Sequence, residues 1–486
     1  MKDKRLIIAL LCGLLIISNI ATYHFAVNLM PGIRGEEPVL SPGEENEIEE
    51  ILEEEQIEDL EELGLLIKVL NLLQDRYIEM VSVEKLVRGA IDGMIEALED
   101  PQTSFLDKEE LENLFIQTTG TFTGIGIEVT MVEDRVTVIA PIKGTPGEKA
   151  GLAPGDQIIE VDGENIEGIP LLEAINKIRG PEGTEVKLTV KREGLQDALE
   201  FQVVRDNIQL ETVDYHMTEK GFGYIQISNF DEQTGIHFRR ALEELEEKNI
   251  EGLIIDLRDN PGGLLQSAIE VGREVVPRGP ITYMVDGKGE ILETYSSFAD
   301  PKPYPMVVLV NSFSASASEI VAGALQDSGA AVLVGEPTFG KATVQNIHRF
   351  YAEEAGMRYT VAKYLTPDKR DINKEGLQPD FKEELPEVFY FHRFPFTRHL
   401  SPGDYGDEVY YMQEMLELLG YPCGEEGLFD DKTEESLKEF QRDMGIEPQG
   451  VLEDYTSRKL REEVRNSLPL HDTQLQKAED YLKGLD

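Results

Sequence analysis

Between residues 223 and 335, short apolar runs alternate with stretches of helical periodicity, and that alternation restricts the middle of the chain to an α/β core. Residues 223–227, 252–257, 306–310 and 331–334 read as strands, and residues 234–248 and the run ending at Gln326 read as helices. With 486 residues the chain has room for about three folded units.

Chemistry concentrates where those strands end. Asp259-Asn260-Pro261-Gly262-Gly263 follows the second strand and precedes a helix, a place where backbone N–H groups can stabilise an oxyanion, or an ordinary tight turn. The third strand runs into Asn311-Ser-Phe-Ser-Ala-Ser-Ala-Ser-Glu-Ile320, which sets a serine at a strand-to-helix corner. Spacing alone does not choose among Ser312, Ser314, Ser316 and Ser318, and N-capping is the usual task of serine there. After the fourth strand, Gly335-Glu-Pro-Thr-Phe-Gly-Lys341-Ala342 fails as a phosphate loop, because Ala342 stands where a metal-reaching hydroxyl is required and Pro337 interrupts the loop. None of the seven histidines sits in a zinc or Ser/His/Asp pattern, so a serine nucleophile here takes another base; no metal and no cofactor are expected.

Lys2, Lys4 and Arg5 precede an apolar run from Leu6 that continues to about Val27 without a good small-residue cleavage site. Residues 1–28 are therefore expected to be a retained single-pass anchor rather than a cleaved leader, leaving the bulk of the chain extracytoplasmic at the cell membrane. Cys12 lies in that span and Cys423 far along the chain, so no disulfide joins them. An acidic linker, 29–48, leads to a helical region, 49–116, with apolar residues such as Leu66, Val69, Leu70 and Leu73 at helical spacing; these pack on each other or a core, or dimerise. Only 46 Lys and Arg face 94 Asp and Glu, a formal charge of −48 that repels nucleic acid and reads as a solvated surface adapted to high salt or unusual pH.

Residues 120–130, GTFTGIGIEVT, open a β-rich stretch with strands at 136–140 and 186–190. The segment GTPGEKAGLAPGDQIIEVDGENIEG from Gly144 resembles PDZ domains, which implies one at 117–205. By that resemblance Gly124, Ile125, Gly126 and Ile127 direct N–H groups at a peptide carboxylate while the next strand pairs with the peptide. Arg179 is either a second contact to ligand or protease core, or a surface arginine.

From about Leu65 to Asp380 the chain resembles the carboxyl-terminal processing peptidases, or tail-specific proteases. The motifs are AIDGMIEALEDPQTSFL, LRDNPGG, VLVNSFSASASEIVAGALQD, VGEPTFGKATVQ and GLQPD, in that order. The resemblance implies a peptidase core at 206–385 with Ser316 as nucleophile, Lys341 as general base and Gln345 positioning the lysine. It also implies an oxyanion hole from Ala317 and Gly262 or Gly263. Ala342 departs from the glycine usual in the family. Lysine accepts a proton only when neutral, and lowering its pKa from about 10.4 to about 7.5 takes roughly 4 kcal/mol, which desolvation can supply. Phe339 and Val344 are candidate apolar walls, and Asp327 is read as structural. Residues 400–465 resemble the small helical peptidoglycan-binding domain, and the polar tail 466–486 is expected to be helical or frayed.

The expected fold is multidomain α+β: N-terminal transmembrane helix, helical segment, β-rich PDZ domain, α/β serine peptidase core and small α-helical C-terminal domain. Its expected function is endoproteolysis of extracytoplasmic proteins with accessible C-termini, near peptidoglycan and with a homodimer made plausible by the resemblance. The alternative is a catalytically silent scaffold.

Overall fold

The computed structural model describes residues 60–132, 134–192, 194–195, 197–391 and 396–484. The expected anchor, the linker and Cys12 lie outside these residues, and no described helix is long and apolar enough to cross a membrane. The chain divides into two compact units at Ala90/Ile91. In the described part of the first, the helix Leu60–Arg76 leaves Leu65, Ile67 and Leu72 exposed. The next helix, Val83–Glu96, buries no residue.

In the second unit, the PDZ segment forms a six-stranded antiparallel sheet with Ile127–Val132 at one edge and Leu199–Val204 at the other. Alternate residues Val136 and Val138, then Val186, Leu188 and Val190, point into one core with Ile125 and Ile158. Arg205 is buried with them. Its guanidinium donates to Ile178 O at 2.8 Å, Lys177 O at 3.2 Å and Glu185 O at 3.0 Å, capping the carbonyl end of the helix Leu171–Ile178. The corner after that helix requires Gly180, where a Cβ would fall 2.9 Å from the same guanidinium. A short ribbon, Thr121–Gly124 against Asp206–Gln209, leads into the peptidase core.

The central sheet of that core has six strands in chain order: β1 (Val213–Met217), β2 (Gly223–Ile227), β3 (Leu253–Asp256), β4 (Met306–Val310), β5 (Ala331–Gly335) and β6 (Phe381–Lys382). Only β1 runs antiparallel to its neighbour. Strands β2 to β5 are apolar at successive positions because both faces are covered. Ile225, Ile255, Val308 and Leu333 pack on one side with α1 (Leu265–Val275) and α2 (Ala317–Asp327). Tyr224, Ile254, Val307, Leu309 and Val334 face the other side, where α3 (Thr473–Leu482) inserts Ala478 and Leu482. Of the two expected states of the tail, helical or frayed, Thr473–Leu482 takes the helical one, and it covers a sheet face that would otherwise be open.

A second, five-stranded sheet is built on the long strand Ala355–Leu365, which pairs with Thr343–Phe350, Gly279–Val285 and Ser104–Leu106. Past Val388, the helices Asp407–Leu418, Asp431–Asp443 and Asp454–Ser467 enclose Met412, Leu416, Phe440 and Leu460. Two buried glutamines tie its glycine turns: Gln413 Oε1 accepts Gly427 N–H at 2.7 Å and Gln441 Oε1 accepts Gly450 N–H at 2.9 Å.

Replacing Arg205 by Met removes donors from several buried carbonyls, a loss of about 2–4 kcal/mol. Hydrogen exchange is expected to accelerate in Glu185–Lys191 while β2–β5 keep their protection.

Candidate active site

Strands β3 and β4 are parallel neighbours with Asp256 opposite Leu309, so the turns that follow them leave the same edge side by side. Asn311 stitches the turns together, donating to Asp259 Oδ1 at 2.9 Å and accepting the Asp259 N–H at 3.0 Å. Ser314 and Ser318 are buried and donate to the first turn, to Leu257 O at 2.8 Å and Asn260 O at 3.0 Å. Ser312 stands exposed. Ser316 remains, half-buried at the N-cap of α2 with φ 55° and ψ −112°. Such strain costs about 1–3 kcal/mol and persists where the surroundings over-determine it. Gly262 is one such surrounding: a Cβ there would lie 2.8 Å from Ser316 Cβ and 2.7 Å from Ala315 O.

A second surrounding is Glu319, fully buried on the first turn of α2. Its Oε2 accepts the N–H of Ser316 and the N–H of Lys341, each at 2.9 Å. Its Oε1 accepts Gly340 N–H at 2.8 Å and the Thr338 hydroxyl at 2.5 Å. From the other side the Tyr364 hydroxyl lies 2.7 Å from Lys341 O and 3.1 Å from Ser316 O. The backbones of Ser316 and Lys341 are therefore joined twice, through one carboxylate oxygen and one phenol. GLQPD serves the same loop: Leu377 N–H donates to Thr338 Oγ1 at 2.7 Å, and a Cβ on Gly376 would strike Thr338 O. Glu319 and Tyr364 were not singled out from the sequence, where one reads as a helix residue and the other as a strand residue.

Burial pushes the Lys341 pKa down, the Arg358 guanidinium pushes the same way, and Glu319 and Asp100 oppose them. Gln345 Nε2 donates to Thr343 Oγ1 at 2.9 Å and Thr360 Oγ1 at 3.5 Å, and the Thr360 hydroxyl donates to Asp100 Oδ2 at 2.7 Å. Burial works to raise the Asp100 pKa, but the hydroxyls of Thr103 and Thr360 outweigh it and hold the carboxyl below its usual range. Among the described residues no hydrogen bond links the side chains of Ser316, Lys341 and Gln345 to one another; the two bridges act on the backbones of Ser316 and Lys341. Ala342 is buried with no positive φ, so nothing at that position requires glycine. Phe339, expected as an apolar wall, is exposed, whereas Val344 packs on the core. Asp327 pairs with Arg370 and accepts Asp368 N–H at 2.8 Å, a structural role.

Of the expected oxyanion donors, Gly262 N–H is taken by Asn260 Oδ1 at 2.9 Å, while Gly263 and Ala317 have no recorded acceptor among the described residues. In the PDZ segment, Ile125 O and Gly126 O accept Gly147 and Ile142 N–H groups, whereas the N–H groups of Ile125 and Gly126 find no acceptor among the described residues. Ile127 begins the edge strand beside them. Arg179 lies next to this loop, its guanidinium 5.3 Å from the Phe122 ring centroid and its Cγ 3.8 Å from where a Cβ on Gly124 would stand. Burial lowers its pKa.

Fold and site define a serine peptidase with a PDZ domain. Family models agree: Peptidase family S41 matches residues 221–383, a PDZ domain 137–192, the activating protease CtpB N-terminal domain 17–110 and a putative peptidoglycan binding domain 405–460. The carboxy-terminal processing protease CtpA of Bacillus subtilis is 37% identical over 417 residues, covering 86% of this chain and 89% of its own. The same organism's CtpB is 35% identical over 418 residues, covering 85% and 87%. A solved structure of a photosystem II D1 C-terminal processing protease is 30% identical, covers 66% of this chain and 94% of its own, and has a TM-score of 0.40. The chain belongs to the S41 family of carboxy-terminal processing proteases, and the silent-scaffold alternative gives way to an enzyme.

Glu319→Gln turns an amide NH2 toward backbone donors, and Tyr364→Phe removes the second bridge. Misplacement of reacting groups by about 1 Å costs about a hundredfold in rate. Peptidase assays are expected to show a loss of that order for Glu319→Gln and a smaller one for Tyr364→Phe, with far-ultraviolet circular dichroism unchanged.

Proposed function

We propose that this chain is a membrane-anchored, extracytoplasmic endopeptidase that cleaves proteins presented by their C-termini, with Ser316 as nucleophile and Lys341 as general base. The observation that carries the reading is the double bridge between the two residues, which places a strained serine beside a lysine whose pKa is lowered. Neutral Lys341 takes the Ser316 proton as the hydroxyl attacks the peptide carbonyl, and returns it to the leaving amine; water then hydrolyses the acyl-enzyme by the same route. Gln345, held by Thr343 and Thr360, orients the amine without adding charge. Ala317 and Gly263 donate to the oxyanion, and Gly262 supplies the close approach.

The PDZ segment takes the substrate's terminal carboxylate at Ile125 and Gly126 and its backbone along Ile127–Val132, with Arg179 as a second contact. Residues 1–28 anchor the chain in the cell membrane, and the C-terminal domain engages peptidoglycan. The uncovered apolar faces of Leu60–Arg76 and Val83–Glu96 support pairing with a second copy.

The test is cleavage, by the full-length protein in detergent, of an unstructured protein with an apolar C-terminal tail. Wild type is expected to cut it, and Ser316→Ala and Lys341→Ala to leave it intact; amidating the tail weakens cleavage. Because Lys341 works only when neutral, kcat/KM is expected to rise with pH through a midpoint below 10.5. Arg358→Gln removes a charge that holds the lysine neutral, so the acid limb moves to higher pH.

A further inference from the structure

The turn that bears Gly262 and Gly263 is held on the nucleophile side by Asn260. Its Nδ2 donates to Ile227 O at 2.7 Å, and its carbonyl accepts Ala315 N–H at 3.0 Å and the Ser318 hydroxyl at 3.0 Å. On the opposite side the turn begins at Arg258, and there the contacts come from the far end of the chain.

Arg258 donates from Nε to Asp256 Oδ1 at 3.0 Å and from Nη2 to Asp256 Oδ2 at 2.6 Å. Asp472 meets the same guanidinium, Oδ1 at 3.0 Å from Nη1 and Oδ2 at 2.8 Å from Nη2. Gln474 Oε1 accepts from Nη1 at 3.1 Å. Asp256 is 1% exposed, Asp472 6% and Gln474 0%. Each partner is fixed in turn: the Tyr224 hydroxyl donates to Asp256 Oδ2 at 2.6 Å, Asp472 Oδ1 caps α3 by accepting Leu475 N–H at 2.9 Å, and Gln474 Nε2 donates to Glu383 O at 2.8 Å.

Apolar packing already seats α3 on the sheet through Ala478 and Leu482, and a buried ion cluster adds little stability beyond what apolar residues of like volume supply. What a forked, bidentate guanidinium contact adds is direction. Here it is applied to the residue immediately before Asp259, itself at φ 59° and held by Asn311.

We propose that Asp472 and Gln474 are positioning residues of the peptidase. Acting through Arg258, they hold the Pro-Gly-Gly turn against Ser316, which makes the C-terminal helix part of the catalytic apparatus. This rests on the Ser316/Lys341 reading. The perturbed step is oxyanion stabilisation, so neither substrate capture nor the ionisation of Lys341 changes when the clamp is weakened.

The experiment uses full-length Asp472→Asn, which keeps an oxygen to cap α3, and Gln474→Met, beside wild type and Ser316→Ala. For both clamp variants kcat is expected to fall about tenfold or more, with KM and the acid limb of the pH profile unmoved. Affinity for a peptide aldehyde is expected to weaken in step with kcat, whereas affinity for an apolar C-terminal tail peptide holds. Wild-type kcat in either folded variant overturns the proposal, as does equal loss of tail-peptide binding or a shifted acid limb. Failure of both variants to fold makes the contact a stability element only and equally overturns it. If Ser316→Ala still cuts, the Ser/Lys reading falls; if Ser316→Ala is inert and Asp472→Asn is fully active, only the clamp falls.

Discussion

The geometry of this site depends on one buried carboxylate. Glu319 has no contact with solvent, and an isolated charge there would be prohibitive. Four donors surround it, from Ser316, Lys341, Gly340 and Thr338, and they belong to two segments that the sequence separates by a helix and a strand. Each segment thus needs the carboxylate to satisfy its own backbone, and the carboxylate needs both. Its place on the first turn of α2 adds the favourable end of the helix dipole. The positive φ of Ser316 survives because releasing it would orphan Glu319, and the loop carrying Lys341 is held at the serine for the same reason.

Around this junction the chain returns repeatedly to the same sheet edge. The segment at Asp100 ties to Thr360, the Pro-Gly-Gly turn abuts Ser316, GLQPD pins Thr338, and the C-terminal helix reaches Arg258. Parallel order in β2 to β5 is what makes this possible, since every strand there delivers its following loop to one edge.

Much of this was legible in the sequence, for reasons specific to each element. The apolar runs of β2 to β5 announced strands because both faces are buried, and glycines at Gly262, Gly376 and Gly126 mark places where a Cβ has no room or φ is positive. The four serines were indistinguishable by spacing. What separates them is burial and partner, since Ser314 and Ser318 are spent on the backbone of Leu257 and Asn260. Glu319, Tyr364 and Arg205 were hidden because their work is done through contacts distant in sequence, and nothing in local periodicity marks a helix glutamate as fully buried. The choice between a helical and a frayed tail was open for a related reason. Thr473–Leu482 is mostly polar, and only the open face of the sheet gives its few apolar residues a purpose.

The last constraint is electrostatic. A chain with formal charge −48 should favour protonated lysine almost everywhere, yet the base must be neutral to act. The site manages this by occupying its carboxylates. Glu319 is surrounded by N–H and O–H donors and Asp100 by the hydroxyls of Thr103 and Thr360, so neither presents a free oxygen pair to the ammonium. Gln345, where a carboxylate would have stabilised the charge, is neutral, and Arg358 adds a positive neighbour. Desolvation can then lower the lysine pKa against the background field, because the field of exposed surface acids is screened over about 8–10 Å while the burial of Lys341 is not.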